Sequence, residues 1–331
     1  MQEGETYLRL GNDNLNIGKY QTAIEYYQKA QACGDKRQQG EAYLGIGNAY
    51  LEIGQYHTVI EYCQKAENVA LECGDKRQEG EAYLRLGNAN LNIGQYQTAI
   101  DHYQKAEKIA LERGDKRLEC EVRLWLGNTY QRIDEYQTAK EYYQKAEKLA
   151  LERGDKQLEC EVRLSLGNTY HRIGEYQTAI ENYQKAEKLA LERRDKRQEC
   201  ETYLWLGNTY QNIHQYQTAV ECYQKAHEIA LEREDLRQER EAYLRIGYVY
   251  LILGEDEKAN ECYRKAEKVF LKPGGKMQEE EEDFLKLRNA LSNRRQNVAG
   301  EACIHEYLDV SVRIKSFVRS YVRLINYLLI Y

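Results

Sequence analysis

Residues 121 to 160, EVRLWLGNTYQRIDEYQTAKEYYQKAEKLALERGDKQLEC, constrain this chain more than any other feature, because the forty residues after them match at 32 of 40 positions. Laid out by that period, Gly47, Gly87, Gly127, Gly167, Gly207 and Gly247 fall at constant intervals of forty, and Gly11 opens the series 36 residues earlier. A chain that copies one short segment stacks a single supersecondary unit on itself, each copy burying its apolar side only against its neighbours.

Within the unit, Arg123, Leu126, Gly127 and Tyr130 are spaced to share one side of a helix, and Tyr136, Ala139, Tyr143, Ala146 and Leu149 share one side of a second. Two helices per copy follow. Gly127 and Ala139 or Ala146 sit where a bulky side chain would hold the paired helices apart, with Tyr130 and Tyr143 filling the flanks. The same helix-pairing role is expected of Gly47, Gly87, Gly167, Gly207 and Gly247. The turn between the helices carries Gly18, Gly54, Gly94, Gly174 and Gly254, suited to the left-handed conformation that ends a helix. Asp134 and His214 replace it, and both tolerate positive φ. Asp35, Asp75, Asp195 and Asp235, each followed three residues later by Gln, read as N-caps with a partner reaching back. Each helix then runs roughly 17 residues, or about 25 Å.

The spaced set Tyr203, Leu206, Gly207, Tyr210, Ala219, Tyr223 and Ala226 resembles the tetratricopeptide repeat (TPR) family, and it recurs seven times over about residues 3 to 272. The family's closing proline is absent, and a Gly-Asp-Lys turn stands in its place. That forty-residue form is similar to the repeats of LGN/Pins-type scaffolds and, more distantly, of kinesin light chains. The resemblance implies an all-α fold, a right-handed α-α superhelix of seven helical hairpins plus a C-terminal capping helix. It also implies that the outward side of each first helix lines a concave groove that holds partner proteins.

The formal charge is −6, with acids and bases interleaved, so no basic stripe suits nucleic acid. The amino terminus enters the first unit without an apolar leader, and no uncharged apolar window of eighteen residues occurs. A soluble, cytoplasmic protein is expected, with membrane association disfavoured. Among nine cysteines, Cys120, Cys160 and Cys200 are one position copied three times, no CxxC occurs, and the histidines do not cluster with them. Reduced thiols, no metal and no cofactor are the expectation.

The seven-repeat array is placed at residues 1 to 272. The first unit lacks four residues relative to the second, about one helical turn, so its second helix should be shorter without its buried side rotating. Pro273, the only proline, ends the array. Residues 277 to 294 echo a first helix, with Arg288 at the pairing-glycine position, and are assigned as a degenerate capping helix. Residues 295 to 331 do not belong to the repeat; Ile314, Phe317, Val318, Tyr321, Val322, Ile325 and Leu328 would share one side of an amphipathic helix, and a disordered tail is the alternative.

A catalytic site needs unlike residues converging on one point, whereas copied positions give ladders. No phosphate-cradling glycine loop, nucleophile elbow or HExxH is present, so an enzyme is not expected. The ladder of interest is Asn12, Asn48, Asn88, Asn128, Asn168 and Asn208. Its amides match the N–H and C=O of an extended peptide or a helix end, and they serve equally to bond neighbouring helices. The only tryptophans, Trp125 and Trp205, stand beside it, and both Trp and Arg favour interface hot spots. The candidate groove patch is Trp125, Asn128, Arg132, Asn168, His171, Arg172, Trp205, Asn208 and Gln211. Glu41, Glu81, Glu121, Glu161, Glu201 and Glu241 occupy one groove position and Leu44, Leu84, Leu124, Leu164 and Leu204 another, which disfavours a carboxylate clamp and points to a partner with basic residues. The resulting expectation is a noncatalytic, monomeric scaffold or adaptor holding a peptide or helical segment of a partner. The alternatives are a self-associating structural array and a peripheral membrane attachment through the C-terminal tail.

Overall fold

The computed structural model describes residues 2 to 270, all within or between fourteen α-helices, with no strand among the described residues. They form seven hairpins: α1 (Gln2–Asn16) with α2 (Tyr20–Cys33), α3 (Lys36–Ile53) with α4 (Tyr56–Cys73), α5 (Lys76–Ile93) with α6 (Tyr96–Arg113), and α7 (Lys116–Arg132) with α8 (Tyr136–Arg153). Then come α9 (Lys156–Arg172) with α10 (Tyr176–Arg193), α11 (Lys196–Asn212) with α12 (Tyr216–Glu232), and α13 (Leu236–Ile252) with α14 (Asp256–Phe270). The expected capping helix at 277–294 and the tail at 295–331 lie outside the described residues.

The chain divides into two compact units, the first Met1–Glu152 and the second beginning at Arg153. In the first, each helix from α1 to α7 packs on the next, and the first helices α1, α3, α5 and α7 also touch in series. In the second, α9 to α14 pack consecutively, and α9, α11 and α13 touch in series.

One contact explains the copied glycine. A Cβ built on Gly127 would lie 2.5 Å from Cε1 of Tyr143, and the same ring edge meets Gly11, Gly87, Gly167 and Gly207 at 2.4 to 2.5 Å from Tyr27, Tyr103, Tyr183 and Tyr223. Tyr103, Tyr143, Tyr183 and Tyr223 are fully buried. The second-helix tyrosine therefore lies on the glycine itself; it does not fill a flank, as the spacing had suggested, because removing the Cβ opens a slot one aromatic ring thick. The second unit of the repeat departs: Cys63 replaces the tyrosine, and a Cβ on Gly47 would meet only its sulfur, at 2.9 Å. Around this contact, Ala99, Ala106, Ala139, Ala146, Ala179 and Ala186 are wholly buried, which lets the helices approach.

The ends of the elements follow the expected chemistry with two refinements. Aspartates 35, 75, 115, 155, 195 and 235 each accept a backbone N–H from the first turn of the following helix. The reciprocal glutamine bond closes only at Asp35; Gln78 instead donates to the carbonyl of Arg37 at 2.9 Å, and Gln198 and Gln238 accept from Arg193 and Arg233. Asp134 and His214 do take positive φ, 63° and 62°, and each side chain is tied to a tyrosine hydroxyl two residues on, Tyr136 at 2.5 Å and Tyr216 at 2.7 Å. Helix α2 has 14 residues where α4, α6, α8 and α10 have 18, and Ala23, Ile24, Tyr27 and Ala30 keep its buried face in register. None of the eight described cysteines forms a disulfide; Cys120, Cys160 and Cys200 point their sulfurs at the carbonyls of Ala146, Ala186 and Ala226 at 3.3 to 3.4 Å.

Gly167→Leu should force Tyr183 out of its slot and lower stability by at least about 3 kcal/mol, read as a fall in Tm. Gly174→Leu, at a turn with open space around it, should cost less, from positive-φ strain alone. Equal melting temperatures for the two variants would contradict the ring-on-glycine packing.

Candidate protein-binding face

On an α-helix, residues spaced four, three and four apart fall on one stripe. In the second unit that stripe is Glu161, Ser165, Asn168 and Arg172 on α9 and Glu201, Trp205, Asn208 and Asn212 on α11. It lies between apolar rows that pack the helices and, apart from the buried Asn208, stays at least partly open. Glu161, Ser165, Asn168, Glu201 and Trp205 are half-buried, and Arg172 and Asn212 are exposed. In the first unit, Glu121, Trp125, Asn128 and Arg132 on α7 are all half-buried. The candidate patch is thus split between the units, three residues in the first and six in the second. The leucine row does not belong to it: Leu84, Leu124, Leu164 and Leu204 are 4 to 7% exposed and serve the core.

The asparagine ladder has an internal role. The hydroxyls of Tyr27, Tyr103, Tyr143, Tyr183 and Tyr223 donate to Oδ1 of Asn12, Asn88, Asn128, Asn168 and Asn208 at 2.6 to 2.7 Å. Burial pushes the Tyr183 and Tyr223 hydroxyls well above their ordinary range, so they remain donors. Each asparagine thereby satisfies the one polar atom of the ring that lies on the glycine; Asn88 and Asn208 are themselves buried, and Asn128 and Asn168 half-buried. Tyr143 also bonds Gln131 at 2.9 Å and Tyr223 bonds Gln211 at 3.2 Å, so Gln211 is committed inside its hairpin.

His171 is committed as well. Thr209 Oγ1 donates to the carbonyl of Trp205 at 2.8 Å and therefore accepts from His171 Nδ1 at 2.9 Å, leaving Nε2 to accept from Asn212 at 3.2 Å. Burial first, then the charges of Arg172 and Arg245, hold this imidazole down at about 4. Trp205 meets His171 edge-on at 6.1 Å between ring centroids and stacks on Tyr183 at 6.5 Å and 9°. Arg172 is exposed and forms no ion pair among the described residues.

The glutamate row that suggested a basic partner is largely used within the protein. Glu41 pairs with Arg77 at 2.5 Å, Glu81 with Arg85 at 2.6 Å, Glu121 with Arg117 at 3.0 Å and Glu241 with Arg245 at 2.7 Å. That leaves little reason for a basic partner. Two residues of weight, Arg85 and Arg245, escaped the sequence reading because they occupy the register of Trp125 and Trp205. Their signal was a position that varies, Arg85, Trp125, Ser165, Trp205, Arg245, between neighbours copied almost unchanged.

The His171 bonds require the neutral ring. Its folded pKa lies below the ordinary 6.5, so the stability it contributes is complete above about 6.5 and is lost as pH falls toward about 4. Melting temperatures measured between pH 7 and pH 4.5 should fall, and His171→Gln should flatten that slope; an identical slope in the variant would contradict the assignment.

The tetratricopeptide repeat sequence profiles match residues 4–32, 38–112, 119–192 and 198–272. A comparison with curated protein sequences returned no match. Among solved structures, a Signal Transduction ATPase with Numerous Domains protein with a tetratricopeptide repeat sensor, from Pyrococcus horikoshii, is similar at TM-score 0.69 and 21% identity over 80% of this chain. The match spans 41% of that protein, less than half its length. The apo form of RapI is similar at TM-score 0.63 and 16% identity, over 81% of this chain and 97% of that one. A Rap protein complexed with competence and sporulation factor is similar at 0.61 and 18%, over 81% and 75%. At these identities the structures speak for the fold alone. The hairpins, the ring-on-glycine core and profile matches covering well over half of the chain together show that it belongs to the tetratricopeptide repeat family.

Proposed function

We propose that this chain is a noncatalytic protein-interaction scaffold that holds a peptide or helical segment of a partner against the open stripe of its first helices. The observation that carries the reading is the composition of that stripe, half-buried at Glu161, Ser165, Asn168, Glu201 and Trp205 and exposed at Arg172 and Asn212. In the second unit it carries a half-buried indole, Trp205, a half-buried amide, Asn168, and an exposed guanidinium, Arg172. In the first unit Trp125, Asn128 and Arg132 occupy the same register. A rigid aromatic body with flanking donors is the composition of an interface hot spot. The similar Rap structure that holds competence and sporulation factor lends the reading support by fold.

End-to-end self-association has an observation against it. At the registers where Ala42 and Ala49, Val122 and Thr129, and Val162 and Thr169 are wholly buried, α1 carries Thr6 and Asp13, both exposed. Stacking another hairpin there would bury a carboxylate, a cost of several kcal/mol. The membrane alternative rests on residues outside those described, and no described helix is long and apolar enough to cross a membrane.

The test separates the amide of Asn168 from the internal bond that its oxygen accepts from Tyr183. With a peptide selected on the whole chain from a random display library, Asn168→Ala should weaken binding by about tenfold, whereas Tyr183→Phe, which spares the amide, should change it little. Unaltered binding in Asn168→Ala would reject the groove assignment for this residue.

A further inference from the structure

In the second unit the stripe carries opposite charges toward its two ends. Glu161 and Glu201 stand near the starts of α9 and α11, and Arg172 closes α9 eleven residues after Glu161, about 16 Å along the axis. The guanidinium on the next first helix but one, Arg245 of α13, is held by Glu241 at 2.7 Å and is only 10% exposed. Arg172 has no such restraint. It is exposed, and among the described residues neither it nor Glu175, the acid next after it in sequence, forms an ion pair.

Beside Arg172 lies a fixed aromatic group. Trp205 stacks on Tyr183 at 6.5 Å and 9°, and His171 meets it edge-on at 6.1 Å. Tyr183 is anchored through its hydroxyl to Asn168, and His171 through Thr209 and Asn212. Burial dominates two shifts here, holding the His171 ring down at about 4 and raising the Tyr183 hydroxyl well above its ordinary range; the charge of Arg172 adds to the first and opposes the second. The guanidinium therefore stands within electrostatic reach of these rings, and the imidazole next to it in sequence is uncharged at neutral pH.

We infer that the segment bound on the second unit is both acidic and apolar: a carboxylate of the partner pairs with Arg172 while a large apolar side chain lies on the open part of Trp205. This rests on the scaffold reading above and names the partner's chemistry. Trp205 shares the register of Ser165, seven residues or about 10 Å before Arg172, a span that an extended segment covers in about three residues. An exposed guanidinium takes a carboxylate without first giving up a partner inside the protein. Glu161 and Glu201 repel the same carboxylate from the far end, so the segment lies in one direction.

The test uses the whole chain and peptides selected on it from a random display library, titrated by fluorescence anisotropy. Enriched sequences should share an Asp or Glu about three residues from a Trp, Phe, Leu or Met. Arg172→Glu should weaken such a peptide about tenfold, and replacing the peptide's acid by Lys should restore binding to the Arg172→Glu variant while weakening binding to the unaltered chain about tenfold. Arg172→Gln should leave the melting temperature unchanged; a fall would show the side chain spent inside the fold and would count against the inference. Enriched peptides without an acid, or an affinity that survives Arg172→Glu yet falls with Asn168→Ala, would overturn this inference and leave the scaffold reading standing. If no peptide is selected, or neither substitution changes affinity, the scaffold reading on this stripe falls and the inference with it.

Discussion

Each hairpin depends on an aromatic ring lying where a side chain is missing. Tyr143 occupies the space a Cβ on Gly127 would need, and its burial brings with it a hydroxyl that must be bonded. Asn128, one residue past the glycine, accepts that hydroxyl at 2.7 Å. Glycine, asparagine and tyrosine are thus one coupled device, and this accounts for their joint recurrence every forty residues. In the second repeat the tyrosine gives way to Cys63; Asn48 loses its internal donor, and Arg85 from the next hairpin supplies one.

Because the asparagines serve the core, their recurrence says nothing by itself about ligands. The copies are not equivalent at the surface: Asn88 and Asn208 are buried, while Asn48, Asn128 and Asn168 are half-buried. Asn208 is buried with Oδ1 taken by both Tyr223 and Arg245, whereas Asn168 is half-buried with Oδ1 taken by Tyr183, on helices that otherwise carry nearly the same residues. In a repeat protein the site is written in the departures from the copy.

Charge follows the same logic. Acids at the starts of the first helices looked like a surface for a basic partner, yet Glu41, Glu81, Glu121 and Glu241 have arginines within 3.0 Å. Long flexible cations fold back onto nearby carboxylates whenever helix spacing permits, so a row of like charges in sequence need not be a charged surface. Arg172, at the end of α9, is exposed and forms no ion pair among the described residues.

The repeat period, the two helices per copy, the glycine turns, the aspartate caps and the shortened α2 were all legible in the sequence, because they depend on local spacing and backbone preference, which a periodic chain displays seven times over. The partners of the copied polar side chains were not. Whether the hydroxyl of Tyr143 reaches Asn128 and whether Asn208 takes a bond from Arg245 depend on side chains 15 and 37 residues apart meeting across packed helices. Only the tertiary structure sets those meetings, since helical periodicity determines which side of a helix a residue takes but not which neighbour waits there.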